Sequence, residues 1–223
     1  MLKKIPRNIL ILVTIAAILF SGMKIVKPVF AEGQLIESKM LNTEESKIEK
    51  EEIVTQIAGK VKKDVIARKF KSVNSNLENY AASKFSEYVM EASAAFQIDP
   101  FLIASILIKE SHAKYKARSS CGAYGLMQVN WSVHRGNIRK AFSEIATLSD
   151  LIQPRNNILV GTYIFSCYMQ SSGGDISEAL SRYLGASGRR YIAGVMKYHS
   201  QMVDSYSNMM EVMLKRELTD TTA

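Results

Sequence analysis

Residues 99–130 read DPFLIASILIKESHAKYKARSSCGAYGLMQVN, and the change of character within them decides how the chain folds. The stretch opens on Asp99, a candidate helix N-cap, with Pro100 at the first helical position, where its missing N–H costs nothing. From Phe101 to Ile108 the side chains are apolar on nearly every side, the pattern of a helix buried all round. Glu110 is therefore a carboxylate delivered at the end of the most buried helix in the chain. From Glu110 to Asn130 the sequence becomes a polar loop, with Gly122 and Gly125 three residues apart and a Leu126-Met127-Gln128-Val129 run. That run reads as a wall rather than a strand, and a small hairpin after Gly122 is the one departure open to an otherwise helical head. Polar loops held between buried elements are where binding and catalytic groups concentrate.

Outward from this stretch the periodicity is helical on both sides. Upstream, KFSEYVMEASAAFQ places Phe85, Tyr88, Val89, Ala92 and Phe96 on one face. Downstream, Ile138, Phe142 and Ile145 predict a short helix, and Pro154 separates it from the apolar helix NNILVGTYIFSCYMQ. Gly173 and Gly174 break that helix, and Asp175 can cap ISEALSRYL. After a turn at Gly185 and Gly188, a terminal helix spaces Tyr191, Val195, Tyr198, Met202 and Tyr206 along a face, and Met202, Met209, Met210 and Met213 read as core or interface filling. No stretch alternates with a period of two for long enough to make a sheet. The expectation is an all-α fold, mainly a compact helical head of about seven helices over residues 84–223.

Two segments precede that head. Residues 1–31 carry Lys3, Lys4 and Arg7 before an apolar run from Ile9 to Phe20, with small residues Val29 and Ala31 ahead of Glu32. This is the pattern of a signal peptide, or of an uncleaved membrane anchor using Ile9 to Met23 with snorkelling lysines. Either way the remainder is expected outside the cytoplasm: secreted, periplasmic or facing the cell wall. Residues 32–83 read as a charged amphipathic helical spacer, with Ile53, Ile57, Val61, Val65, Phe70, Val73 and Leu77 at three- to five-residue steps and a break near Ser72 to Ser75. The spacer is either an extended arm or a helix folded back on the head; Phe70, Val73, Leu77 and Tyr80 favour folding back for its second half.

Charge narrows the function classes. The net charge of +8 includes five basic residues and no acid in the first 31 positions, which leaves 24 basic against 21 acidic residues, or +3, from Glu32 onward. The basicity belongs largely to the leader, and no nucleic-acid partner is expected. Cys121 and Cys167 cannot make a zinc site alone, and His112, His134 and His199 are not at metal-ligand spacing, so no metal or cofactor is expected. In an oxidising compartment the two cysteines either form one disulfide or stay apart as small core residues.

A carboxylate leaving an apolar helix is partly desolvated, which disfavours its charged form and raises its pKa; that is how a Glu becomes a general acid at neutral pH. The bland alternative is an exposed helix-end residue with no catalytic duty. The neighbours weigh against it: Ser111 and Ser119 can hydrogen-bond a carboxylate or the loop, Gly122 and Gly125 permit close approach of a bulky ligand, and Gln128 offers donor and acceptor to a sugar. Trp131 and Tyr124 can stack on sugar rings, with core packing an equal alternative for Trp131.

Glu110-Ser111, Ser119, Gly122-Ala123 and Gly125 to Val129 together form E-S-x(7)-S-x-x-G-A-x-G-L-M-Q-V. This resembles the signature of the lytic transglycosylase SLT domain, a goose-lysozyme-like family. Pro154, Asn157, Ile158 and Gly161 resemble its second motif, and ALSRYLG resembles its third, with Tyr183 where the family has a tyrosine close to the catalytic Glu and Leu184 where it has Asn. The resemblance spans roughly residues 84–200. It implies cleavage of the β-1,4 bond between N-acetylmuramic acid and N-acetylglucosamine in peptidoglycan glycan strands, leaving a 1,6-anhydromuramyl end. Glu110 is then the single acid and base, Tyr183 its catalytic partner, and Ser119, Gly125, Leu126, Met127 and Gln128 the saccharide-binding residues. No second acid lies in the motif loop; Glu144, Asp150, Asp175 and Glu178 are remote in sequence. Two alternatives stay open: a muramidase of the same fold that uses water, and a non-catalytic wall-binding or assembly protein.

Overall fold

The computed structural model describes the backbone of residues 27–220 and the side chains of residue 48 and residues 50–215. The expected leader, residues 1–31, lies almost wholly outside them. Helix α1 (Lys27–Val73) is followed by α2 (Asn79–Phe96) and α3 (Pro100–Ser111), then by a hairpin of β1 (Ala123–Tyr124) and β2 (Val129–Asn130). Beyond it come α4 (Trp131–Ala141), α5 (Leu148–Leu151), α6 (Pro154–Ser171), α7 (Ile176–Leu184) and α8 (Arg189–Asp220). The fold is mainly α, as expected. By contacts the chain divides into two units, Met1–Glu52 and Ile53–Ala223, and the second holds the core and the motif residues.

Helix boundaries follow local chemistry. Asp99 caps α3, its side chain accepting from the Leu102 N–H at 2.8 Å, with Pro100 in the first turn. Asp175 caps α7 in the same way through Glu178, and Thr147 and Asp150 form a reciprocal capping box on α5. Gly185 ends α7 with φ 76°, its N–H reaching back to the carbonyls of Ser181 and Arg182. Helix α1 stops at Val73, within the expected break, and the turn after it is closed by the Asn74 N–H on the Phe70 carbonyl at 3.0 Å.

Every residue of α3 from Pro100 to Ile108 is buried. It packs against α8 and α2; α2 packs in turn against α6, and α6 carries α7 and touches β2. Val61, Val65, Ile66 and Phe70 from α1 and Leu77 from the turn join the same core. Tyr80, grouped by its apolar character with Phe70 and Leu77, is instead 72% exposed. The buried face of α2 runs through Ala82, Phe85, Val89 and Ala92, and Tyr80 falls off that stripe in the first turn. Met202 is buried, while Met209, Met210 and Met213 lie partly buried against the core.

The hairpin pairs Ala123 with Asn130 and Tyr124 with Val129, antiparallel, with Gly125 to Gln128 as its loop. Cys121 and Cys167 are free and exposed, neither bonded to each other nor in the core. Cys121 sits in the loop before β1, and Cys167 falls on the side of α6 opposite the face used by Ile158, Gly161 and Phe165.

Candidate active site

Glu110 lies in the last turn of α3, half-buried. The Tyr191 hydroxyl, from the first turns of α8, donates a hydrogen bond to its Oε1 at 2.5 Å. Burial raises the carboxyl's pKa, and the Tyr191 hydrogen bond and the Lys109 charge pull the other way without cancelling it. Tyr191 is 8% exposed, and burial beside the Glu110 charge pushes its phenol well up, so it remains a neutral donor across the physiological range. The Lys109 stem lies along Gly194 of α8, where an added Cβ would come within 3.1 Å of Lys109 Cε and Nζ. Glu110 thus owes its position to a helix buried all round, and its partner to a different helix.

The chain after α3 turns sharply because His112 and Ala113 both adopt left-handed backbone, φ 52° and 57°. The Ser111 hydroxyl donates back to the Leu107 carbonyl at 3.1 Å and caps no carboxylate. Ser119 shapes the loop: its N–H donates to the Ala123 carbonyl at 2.9 Å, and its Oγ accepts from the Ala123 N–H at 3.0 Å.

The hairpin loop is locked from beneath by Asn157 of α6. Its Oδ1 accepts from the Met127 N–H at 2.8 Å and its Nδ2 donates to the Tyr124 carbonyl at 2.9 Å. Gly125 has φ 79°, and a Cβ there would lie 2.5 Å from the Asn157 side chain, so two independent constraints require glycine. Gly161, a turn further along α6, is held to glycine by close approach alone: a Cβ would meet Met127 Cβ at 2.4 Å and the Tyr183 hydroxyl at 3.1 Å. Leu126 and Met127 are 0% exposed, so they anchor the loop in the core, and the Met127 backbone is engaged by Asn157 and Tyr183. Gln128, in left-handed backbone, spends its amide N–H₂ on the carbonyls of Ala117 (3.2 Å) and Gly125 (2.9 Å). Its carbonyl oxygen is what remains to accept from a ligand.

Tyr183 donates to the Met127 carbonyl at 2.8 Å, and its ring stands edge-on to Phe165 and Tyr168. Burial and the nearby Glu110 charge push its phenol up, so it lies in the field of the carboxylate while its proton is directed elsewhere. The tyrosine bonded to Glu110 is Tyr191. Of the four remote acids, Asp150 and Asp175 are engaged as helix caps, Glu178 pairs with Arg182 at 3.0 Å, and Glu144 is exposed. Among the described residues no group of three His, Cys, Asp or Glu side chains lies close enough to hold a metal.

The Transglycosylase SLT domain matches residues 87–202, which runs from the middle of α2 to the middle of α8 and takes in every residue just described. The chain belongs to the transglycosylase SLT family. Its members are lytic transglycosylases acting on peptidoglycan, and within the matched region Asn157 of α6 and Tyr183 of α7 both bond the hairpin loop, while Glu110 stands in the last turn of α3. Two residues of that structure have no role legible in the sequence. Asn157 offers one signal, a polar side chain on the buried face of an apolar helix, which needs partners. Tyr191 sits on a face whose spacing reads as packing, and its hydroxyl partner lies 81 residues away.

Proposed function

We propose that this SLT-family protein is a lytic transglycosylase that cleaves the β-1,4 bond between N-acetylmuramic acid and N-acetylglucosamine, with Glu110 as its single acid and base. The observation that carries the reading is the Glu110 environment: a carboxyl raised by burial, held by a neutral phenol, with no second acid beside it among the described residues. Glycosidases that work with two carboxylates need them on opposite sides of the bond, about 5–9.5 Å apart. Here one group does both proton transfers.

In the first step the protonated Glu110 carboxyl gives its proton to the glycosidic oxygen as the bond from the muramyl C1 breaks. N-acetylglucosamine leaves with a free 4-hydroxyl, and the muramyl N-acetyl oxygen stabilises the developing oxocarbenium. In the second step the muramyl 6-hydroxyl oxygen bonds to C1 and its proton returns to Glu110, which regenerates the starting carboxyl with no water consumed. Tyr191 fixes the carboxyl's direction and favours the carboxylate formed between the two steps. Tyr183 acts at one remove, through the Met127 carbonyl it holds and through the field it shares with Glu110. Ser119 and Gly125 set the loop's shape, Leu126 and Met127 anchor it in the core, and the Gln128 carbonyl oxygen accepts from the saccharide.

Location outside the cytoplasm belongs to this proposal, because the substrate lies there and because residues 1–31 have the charge and apolar pattern of a leader or anchor. Among the described residues no helix is long and apolar enough to cross a membrane. The test is release of soluble fragments from purified peptidoglycan by the full chain. Release is expected from the native protein and loss of at least about 100-fold from Glu110→Gln. Equal release by both would remove Glu110 from the chemistry, and binding without release by the native protein would favour a non-catalytic wall-binding role.

A further inference from the structure

The chain just beyond Glu110 is held by a residue outside the matched domain. His112 and Ala113 stand in left-handed backbone, φ 52° and 57°, a conformation in which the Cβ of an L residue crowds the following carbonyl. Two such residues in succession persist only where their surroundings fix them, and such places gather at functional sites. Ala113 is fully buried, so its carbonyl needs a partner within the protein. Asn74, in the turn after α1, supplies one: its Nδ2 donates to the Ala113 carbonyl at 3.2 Å, across 39 residues of sequence. Among the described residues no backbone N–H outside the helices bonds that carbonyl.

Asn74 is itself a fixed point. Its N–H donates to the Phe70 carbonyl and its own carbonyl accepts from the Leu77 N–H, each at 3.0 Å. Phe70 and Leu77 are core residues, and the Lys71 ammonium also donates to the Leu77 carbonyl. The turn is thus a bracket seated in the core, and it lies wholly before residue 87, where the matched domain begins.

Glu110 feels that bracket through its own helix end. Helix α3 closes with the His112 N–H on the Ile108 carbonyl at 2.9 Å, and the Lys114 N–H reaches back to the Ser111 carbonyl at 3.1 Å. The carboxyl is held by Tyr191, and the backbone beneath it by the turn that Asn74 clamps. Without the clamp, His112 and Ala113 relax out of the left-handed region. The last turn of α3 moves with them and carries the carboxyl off the Tyr191 hydroxyl. The hairpin loop is held separately, by Asn157 and Tyr183 on Met127, so orientation of the acid and the shape of the loop have different supports.

We propose that Asn74 is a positioning residue for Glu110, acting through the left-handed turn at His112 and Ala113, so that the segment before the matched domain completes the active site. The proposal rests on Glu110 being the acid and base of the reaction proposed above.

The test compares the full chain with Asn74→Ala in two readouts, with thermal melts showing that both are folded. The first needs no activity: NMR titration of protein labelled with carboxyl-¹³C glutamate, the Glu110 signal being the one lost in Glu110→Gln. The Tyr191 bond favours the carboxylate, so its loosening should move the Glu110 midpoint upward, with Lys109 and Tyr183 still facing the carboxyl. The second is fragment release, in which kcat should fall about 10-fold while KM stays within about twofold. His112→Gly removes only an exposed side chain and frees one left-handed residue of its Cβ; added to Asn74→Ala, it should restore about half of the native kcat or more. If Asn74→Ala does not fold, Asn74→Ser, whose hydroxyl stops one atom short of the Ala113 carbonyl, takes its place in both readouts. An unmoved midpoint with unchanged kcat overturns the proposal. So does a loss of kcat that comes with an equal rise in KM and that His112→Gly does not relieve, which would make Asn74 a structural residue only. A shifted midpoint in a protein that cuts no glycan contradicts the proposed activity and keeps Asn74 as the residue that positions Glu110.

Discussion

Replacing Tyr191 with Phe removes one oxygen and leaves the ring that packs between α8 and the core, so it isolates the hydrogen bond to Glu110 Oε1. At 2.5 Å this is a short bond of an O–H to a carboxylate, a class that contributes ~1.5–3 kcal/mol. The bond favours the charged carboxyl, against the burial that favours the neutral one, and Lys109 and Tyr183 are the other groups acting in that field. Without it the Glu110 pKa rises further, and the carboxyl–carboxylate balance shifts toward the protonated form. The acid step needs the protonated form, so the alkaline limb of kcat/KM against pH should move upward. The step that returns the proton weakens as the carboxyl loses its fixed direction, so kcat at the optimum should fall by about 10-fold or more. The assay is the pH profile of fragment release by native and Tyr191→Phe proteins, with thermal melts showing that both are folded. A profile that keeps its alkaline limb while activity falls, or moves it downward, refutes the reasoning and leaves Tyr191 a packing residue.

Three further outcomes are expected. Asn157→Ala leaves the Met127 N–H and the Tyr124 carbonyl without their buried partner, and should cost about 2–4 kcal/mol in denaturant unfolding with loss of activity; a cost under about 0.5 kcal/mol would mean that the loop holds itself. Phe70→Ala empties a fully buried site and should cost about 3–5 kcal/mol, and a chain starting at residue 84, which lacks Val61, Val65, Ile66, Phe70 and Leu77, should fail to fold. Glu110→Gln should stabilise the protein near pH 7: a carboxyl with raised folded pKa contributes stability present below the ordinary carboxylate range and lost as pH rises through the folded pKa. The gain is expected as a higher Tm near pH 7 that shrinks toward pH 4; a gain that grows as pH falls would reverse the sign.

Much of the helical scaffold was legible because its signals are local. Asp99 with Pro100, Asp175 and Gly185 mark helix ends by the conformations and hydrogen bonds their own side chains permit, and the unbroken apolar run of α3 admits only a central position. The motif glycines were legible as glycines, and their reason came with the fold: Gly125 is pressed against Asn157 and Gly161 against Met127, pairs set by tertiary approach. Tyr191 could not be read as the partner of Glu110, since a tyrosine on the buried stripe of an amphipathic helix declares its ring and not the destination of its hydroxyl. Tyr183 illustrates the converse. The motif reading puts a tyrosine close to the glutamate; here the Tyr183 phenol lies in the field of Glu110 while its proton goes to the Met127 carbonyl. Tyr80 and the two cysteines lie outside the core although apolar or small character favours burial: Tyr80 and Cys167 fall off the packed faces of their helices, and Cys121 lies in the exposed loop before β1.

The central claim is that one carboxyl, with no partner acid, closes the muramyl 6-hydroxyl onto C1. Mass spectrometry of fragments released from purified peptidoglycan by the full chain tests it most directly. The account predicts muramyl ends about 18 Da lighter than hydrated ones, the mass of the water that never enters, and their disappearance with Glu110→Gln. Fragments carrying only hydrated, reducible muramyl ends would contradict it and identify water as the nucleophile.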